Sequence, residues 1–205
     1  MRPLTFTIAA SLVLPLSLSL MTSCGGGTQV TRTESNAVRD LSGNWNATDS
    51  RVTAEAMIAD CVSRPWMENF TKANNRAPVV KVGRVKVVTN GDVVNTEIFT
   101  NDLVRSLINS GKAEAVASTS EVDQAREERK QQDVNASEAT RKEGFQETGA
   151  DFLIIGTINV QDDQADGKMQ KFYSTDLKMT DIKTQKQVWI GNHKIAKDVT
   201  RSNYK

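Results

Sequence analysis

The sequence predicts a mixed α/β fold in which about five strands form one sheet with helices packed on it. Three stretches carry that expectation. Phe152-Leu153-Ile154-Ile155-Gly156-Thr157-Ile158 is a continuous apolar run, the pattern of a strand covered on both faces. Val79 to Val88 is a β-branched run opened by Pro78. Between them, Phe99, Leu103 and Leu107, with Ile98 and Ile108, recur at helical spacing. Strand, helix and strand in that order favour a parallel pair, because a parallel crossover needs a connecting element.

Taken in order, the folded part begins near Leu41-Ser42-Gly43-Asn44-Trp45-Asn46. Thr48 or Asp49 offers a cap for a first helix, whose apolar set is Val52, Ala56, Ala59 and Cys61-Val62. Pro65 breaks or restarts it ahead of Trp66 and Phe70, with Ser63 as a second cap, which makes two short helices. Alternation in the 79–88 strand shifts at Gly83-Arg84, the mark of a bulge or a close backbone contact. Arg84 and Lys86 alternate there with valines, which is ordinary half-exposed patterning. Thr89-Asn90-Gly91-Asp92 is turn chemistry. Asn95 or Thr96 caps the next helix, and Gly111 stops it as a left-handed cap. A short strand is expected at Ala113 to Ala117. A charged helix then spans Glu121 to Gln132, with a break at Asp133-Val134-Asn135 and a second helix ending at Thr148-Gly149. Its run Arg126-Glu127-Glu128-Arg129-Lys130 mixes signs, as a solvated helix face does. After the Phe152 strand, Asp166-Gly167 is a turn. Met169, Lys171, Tyr173, Thr175, Leu177 and Met179 then alternate with their neighbours, Lys183 to Lys186 forms a second turn, and Val188-Trp189-Ile190 starts the last strand. Three antiparallel strands therefore close a mixed sheet.

The first two dozen residues are of another kind. Arg2 leads into an apolar stretch from Leu4 to Met21, interrupted by Pro15 and serines, that ends at Thr22-Ser23-Cys24. Basic start, short apolar stretch and small residues before a cut are those of an export signal. Leu20-Met21-Thr22-Ser23-Cys24 followed by Gly25-Gly26-Gly27 resembles a bacterial lipobox, in which the signal is removed and the cysteine acylated. An ordinary signal cut beside an incidental thiol, or a retained helical anchor, are the other readings. Residues 1–23 are thus expected as a lipoprotein signal peptide, 24–40 as a lipidated flexible tether and 41–205 as one globular domain. At roughly 3.4 Å per residue the tether from Gly25 to Asp40 reaches at most roughly 55 Å.

Charge and composition exclude several functions. Removing residues 1–23 takes away one base, Arg2, and no acid, which leaves 25 Lys and Arg against 25 Asp and Glu. Without a clustered basic excess, no nucleic-acid partner is expected. Cys61 among Met57, Ile58 and Val62 reads as a core thiol, with a reactive thiol as the alternative. His193, the single histidine, stands in the closing strand with no nucleophile motif beside it. No Cys-x-x-Cys or His-Glu-x-x-His spacing offers a metal site, and Asp162, Asp163 and Asp166 lack the calcium-loop pattern. Neither a catalytic constellation nor a cofactor or small-molecule substrate is indicated. Asn44-Trp45-Asn46 is the candidate partner-binding segment, because a tryptophan in a polar segment is a frequent interface anchor. Trp45 packing down beneath the first helix is the competing reading.

Ordered motifs then resemble one family. Asp40 to Asn46 with Thr48-Asp49-Ser50-Arg51, Asp60-Cys61-Val62-Ser63-Arg64-Pro65-Trp66 and Phe70 look like the start of the LpoB family, lipoprotein activators of penicillin-binding proteins. Phe99 to Leu103, Leu107 to Lys112, Asn135 to Glu138, Glu147 to Phe152, Gly156 to Asn159 and Val188 to Gly191 follow in the family's order. The resemblance spans Asp40 to about Lys197. It implies a compact α/β domain similar to the amino-terminal domain of TolB. It also implies a periplasmic, lipid-anchored outer-membrane location and the binding and stimulation of a bifunctional peptidoglycan synthase. An envelope assembly or secretion subunit of the CsgG type is the other class considered. Its amphipathic membrane hairpins would need lipid-facing strands, and Lys171, Asp176 and Lys178 make 169–179 poor material for one.

If Cys24 is the lipid attachment point, an alkyne fatty acid fed to expressing cells labels the wild type and leaves Cys24→Ala unlabelled. Equal labelling of both would end the lipoprotein reading.

Overall fold

The computed structural model describes residues 30–34, 37–38, 40, 42–89, 91–116, 119–135, 149–165 and 168–200. The chain divides into two compact units, Met1–Ser35 and Asn36–Lys205. In the first, residues 30–34 have no regular structure. Cys24, the second charged helix expected before Gly149 and the Asp166-Gly167 turn lie outside the described residues.

Helix α1 (Ala47–Ser63) is capped by Asn46, whose side chain accepts from the backbone N–H of Thr48 and Asp49, while the Asp49 carboxylate accepts from the Asn46 N–H. This reciprocal box replaces the expected cap at Thr48 or Asp49. The buried face of α1 also differs from expectation: Thr53, Ala54, Met57, Ile58, Cys61 and Val62 point inward, whereas Val52, Ala56 and Ala59 are exposed. Pro65 occupies the first position of α2 (Pro65–Asn74), where its missing N–H costs nothing. Ser63 is no cap, since its hydroxyl donates back to the Asp60 carbonyl.

Strand β1 (Val79–Val88) is followed by α3 (Thr96–Asn109), which is capped by Asn95 and followed by Gly111 at φ 65°. Phe99, Leu103 and Leu107 of α3 are fully buried, but Ile98 and Ile108 are 43% and 52% exposed, on the flank of the stripe. The short strand β2 (Glu114–Ala115) precedes α4 (Thr119–Asn135), whose last residues are the 133–135 stretch expected as a break. Strands β3 (Phe152–Ala165), β4 (Lys168–Asp181) and β5 (Gln187–Thr200) are each longer than their apolar stretches alone suggest.

The sheet order is β2-β1-β3-β4-β5, with β1 parallel to both β2 and β3 and the last three strands antiparallel. The β1–β3 register shifts between Val82 and Val85, the bulge anticipated at Gly83-Arg84. Helices α1 and α3 pack together over one face, α1 against β5 and α3 against β1. Val80, Phe152, Ile154, Ile158, Leu177 and Met179 fill that face. Among the described residues no helix packs over the centre of the opposite face. Ile155 is 43% and Ile190 60% exposed there, so the expectation of a strand buried on both faces fails for β3. The apolar run misled because Leu153 and Ile155 fall on the outer register, where side chains alternate away from the helices.

At one end of the sheet Phe152 receives the rings of Trp66 and Phe70 edge-on, with centroids 5.0 and 5.3 Å away. Arg76 stacks over Phe70 at 5.1 Å and forks onto Asp151 at 2.6 and 2.7 Å, and Asp151 also accepts from the Val79 N–H. Truncating a buried aromatic typically costs about 3 to 5 kcal/mol. Phe152→Ala is therefore expected to lower the denaturation midpoint steeply. Asp163→Ala, exposed far along β3, should leave it nearly unchanged, and equal midpoints for the two variants would contradict this packing.

Candidate functional site

The segment expected to meet a partner is placed by its own chemistry. Trp45 is 8% exposed, with its ring edge-on to Phe99 and Tyr173 at centroid distances of 6.0 and 5.5 Å. Its indole N–H donates to the Ser50 hydroxyl at 2.7 Å. Asn46 is engaged as the α1 cap and donates to Asp40 at 2.8 Å. Asn44 is exposed, yet its amide oxygen accepts from Lys171 at 2.9 Å. Beside these residues Gly43 lies so close to β4 and β5 that a Cβ would come within 2.3 Å of Val199 Cγ2.

Two lysines beneath this segment bind it to the sheet. Lys171 on β4 contacts Asp92 at 2.5 Å, and the Tyr173 hydroxyl donates to Asp92 at 2.7 Å and lies 2.8 Å from the Gly43 carbonyl. Lys197 on β5 reaches Asp40 at 2.7 Å, Asp49 at 2.6 Å and the Asn44 carbonyl at 3.2 Å. Asp49 thus serves at once in the cap of α1 and as counter-ion of a buried lysine. Both lysines sit in the inward register of their strands, where apolar residues are usual. That register was the sequence signal for this clasp, but the acids that complete it are distant in sequence.

Electrostatics follow from this geometry. The Lys197 ammonium hydrogen-bonds Asp40 and holds its carboxyl below the usual range against a smaller opposing effect of burial. Burial alone would raise Asp92, but the Lys171 and Tyr173 hydrogen bonds outweigh it and keep that carboxyl low. Lys197 loses by burial and gains more from Asp40 and Asp49, so its ammonium is held above its ordinary value. Burial and then Asp92 push the Tyr173 phenol up.

The remaining candidate chemistry is dispersed. Cys61 is fully buried, and burial followed by the Asp60 charge pushes its thiol up to about 12, which makes it inert near neutrality. His193 is half-buried on β5 opposite Thr175. Asp162 and Asp163 are exposed, and among the described residues no group of acids, histidines or cysteines could hold a metal ion. A groove of about 400 Å³ separates α1 from α3, but its charges close on each other as the pairs Arg51 with Glu55 and Asp102 with Arg105. No helix among the described residues is long and apolar enough to cross a membrane.

The clasp sets a pH window. What Asp40 and Asp92 contribute is complete above the unfolded carboxylate value near ~3.9 and is lost as pH falls through their lower folded values. What Lys197 contributes is complete below ~10.4 and is lost as pH rises through its higher folded value, and Tyr173 weakens stability once its unfolded counterpart ionises above ~10. The denaturation midpoint should be level from about pH 5 to 9 and fall on both sides. Asp92→Asn should shrink the acid-side fall. Lys171→Ala, which strands Asp92 without its buried partner, should cost about 3 to 5 kcal/mol at neutral pH. A Lys171→Ala midpoint equal to wild type would mean that the clasp does not hold the segment.

Comparison with known proteins reports on the chain as a whole. No curated protein matches it. Among solved structures, the LpoB C-terminal domain from Salmonella enterica is similar at 19% identity, covering 64% of this chain and 93% of that one with a TM-score of 0.33. The LpoB C-terminal domain from Escherichia coli is similar at 17% identity, covering 70% and 98% with a TM-score of 0.36. Lipoprotein GNA1162 from Neisseria meningitidis is similar at 12% identity, covering 62% and 88% with a TM-score of 0.37. The sequence model of the family described as peptidoglycan-synthase activator LpoB matches residues 49–195, from the first turn of α1 into β5. With most of the folded chain inside that match, the chain belongs to the LpoB family.

Proposed function

We propose that this chain is an outer-membrane lipoprotein whose domain, 41–205, binds a bifunctional peptidoglycan synthase (a class A penicillin-binding protein) from the periplasm and stimulates it without chemistry of its own. The family match over residues 49–195 carries this reading. The export signal that closes on Cys24 supports the anchor, with residues 1–23 removed and 24–40 as the tether.

The mechanism is differential affinity. A domain that binds the active conformation of a synthase more tightly than the inactive one raises the active population by that difference and no more. Such a domain must be stiff, since ordering on binding would consume part of the difference. The clasp supplies that stiffness where the tether enters: Asp40 is fixed to Lys197 and Asn46. In this reading the 44–46 segment contributes exposed Asn44 at the surface, while Trp45 braces it from within the core.

Adding the full chain, in detergent micelles, to the purified synthase should raise its glycan polymerisation rate along a saturating curve. The chain alone should turn over neither glycan nor lipid-linked precursor. A synthase rate unchanged at every concentration, or turnover by the chain alone, would reject the proposal.

A further inference from the structure

The open face of the sheet differs electrostatically from the rest of the domain. On the helices, cations are paired locally: Arg51 with Glu55, Arg64 with Asp60, Lys72 with Glu68, Arg105 with Asp102 and Lys130 with Glu127. On the open face, Lys81 and Lys86 of β1, Lys178 of β4 and Lys194 of β5 form no ion pair or hydrogen bond with the described residues. The acid among them, Asp176, is engaged by the side-chain amides of Asn192 at 2.7 Å and Asn159 at 3.2 Å. Around Lys178 four ammonium groups thus stand against one carboxylate, while Asp163, Asp198 and Glu114 lie towards the ends of the same face. Neighbouring strands lie about 4.8 Å apart. Lys81 and Lys86 each stand two strands and two residues from Lys178, about 12 Å away and beyond the ~8 Å screening length at physiological ionic strength, so each lysine acts mainly on the part of a partner that docks beside it.

The centre of the same patch is apolar. Ile155 on β3 and Ile190 on β5 both face Lys178 across the ladders and are 43% and 60% exposed. Leu153 lies two residues before Ile155 in the same register. A Cβ on Gly83 would sit 3.0 Å from both Ile155 and Leu153, so the bare backbone at the bulge lets these side chains spread over β1. An apolar centre ringed by free charges of one sign is the anatomy of a protein interface, in which the centre supplies burial and the rim supplies steering and sign.

We infer that this open face, centred on Ile155, Lys178 and Ile190 and rimmed by Lys81, Lys86 and Lys194, docks an acidic protein surface with an apolar centre carried by the synthase. The inference rests on the proposed function for the identity of the partner and on charge complementarity for its chemistry. The helical face, with its cations already paired, offers no comparable net charge.

The test measures binding of the full chain in detergent micelles to the purified bifunctional synthase. Lys178→Glu/Lys194→Glu should weaken the dissociation constant by about tenfold or more, mostly through slower association. Lys72→Glu on α2 should leave it unchanged. Ile190→Ser should speed dissociation. Because a doubly reversed strand could unfold, each variant is checked by its thermal midpoint, and a readout that needs no variant accompanies it: wild-type affinity should fall as salt rises from about 50 to 300 mM. Salt-independent wild-type binding, or full affinity in a folded Lys178→Glu/Lys194→Glu chain, would overturn the docking face and leave the activator reading intact. Wild type that binds no synthase would overturn both. Reversal variants that lose adhesion to anionic phospholipid vesicles and retain synthase affinity would reassign the face to a membrane surface and likewise overturn the inference.

Discussion

Burying an ammonium group costs several kcal/mol unless counter-ions and hydrogen bonds replace the lost water. The inward registers of β4 and β5 nevertheless carry Lys171 and Lys197. What makes this tenable is the N-terminal segment, which supplies Asp40, Asp49 and the Asn44 carbonyl to Lys197 and the Asn44 amide to Lys171, with Asp92 arriving from the turn after β1. The dependence runs in both directions. Without the segment the lysines would be uncompensated, and without the lysines little would hold a polar stretch against the end of a sheet. The cap of α1, the seat of Trp45 and the placement of the β1–α3 turn all rest on this exchange.

The sequence was most legible where one chemical period dominated. Met169 to Met179 alternates cleanly because β4 has one wet face, and Phe99, Leu103 and Leu107 mark α3 because its inward stripe is wholly apolar. Helix α1 was harder. Its buried face includes Asp49, Ser50 and Thr53, while Val52, Ala56 and Ala59 face water, so its apolar residues are spread nearly evenly around the axis. Its cap follows an Asn-x-x-Asp spacing, a shorter-armed version of the usual capping box, which hid Asn46 among neighbouring polar residues. The apolar run in β3 overstated burial for a related reason, since hydrophobicity reports an apolar side chain without reporting which neighbour covers it.

The clasp was the least legible part. Lys171 and Asp92 are 79 residues apart, and Lys197 and Asp49 are 148 apart, so no local pattern joins them. Half of the signal was present, because a lysine in the inward register of an alternating strand is costly unless something answers it. Reading such a residue as a question about its partner, and not only as poor material for a lipid-facing strand, would have pointed to the acids of the N-terminal segment. Trp45 shows the converse ambiguity. A tryptophan in a polar stretch suits an interface anchor and an internal brace equally, and the choice depends on Phe99 and Tyr173, which only the fold brings to it.

The two faces of the sheet divide the work of the charged residues. On the helical side, charge is spent within the domain: every carboxylate of the clasp has a cation, and the α1 and α3 pairs close their own groove. On the open side, the lysines around Lys178 stand without ion pairs beside exposed Ile155 and Ile190. Isolated surface pairs add little to stability, so leaving these cations unpaired costs the fold almost nothing. It does give the patch around Lys178 a local sign in a nearly charge-balanced chain. In the proposed role, a regulator without chemistry of its own can act only through its surface, and that surface gains selectivity when a rigid core lets one patch carry charge without folding around it.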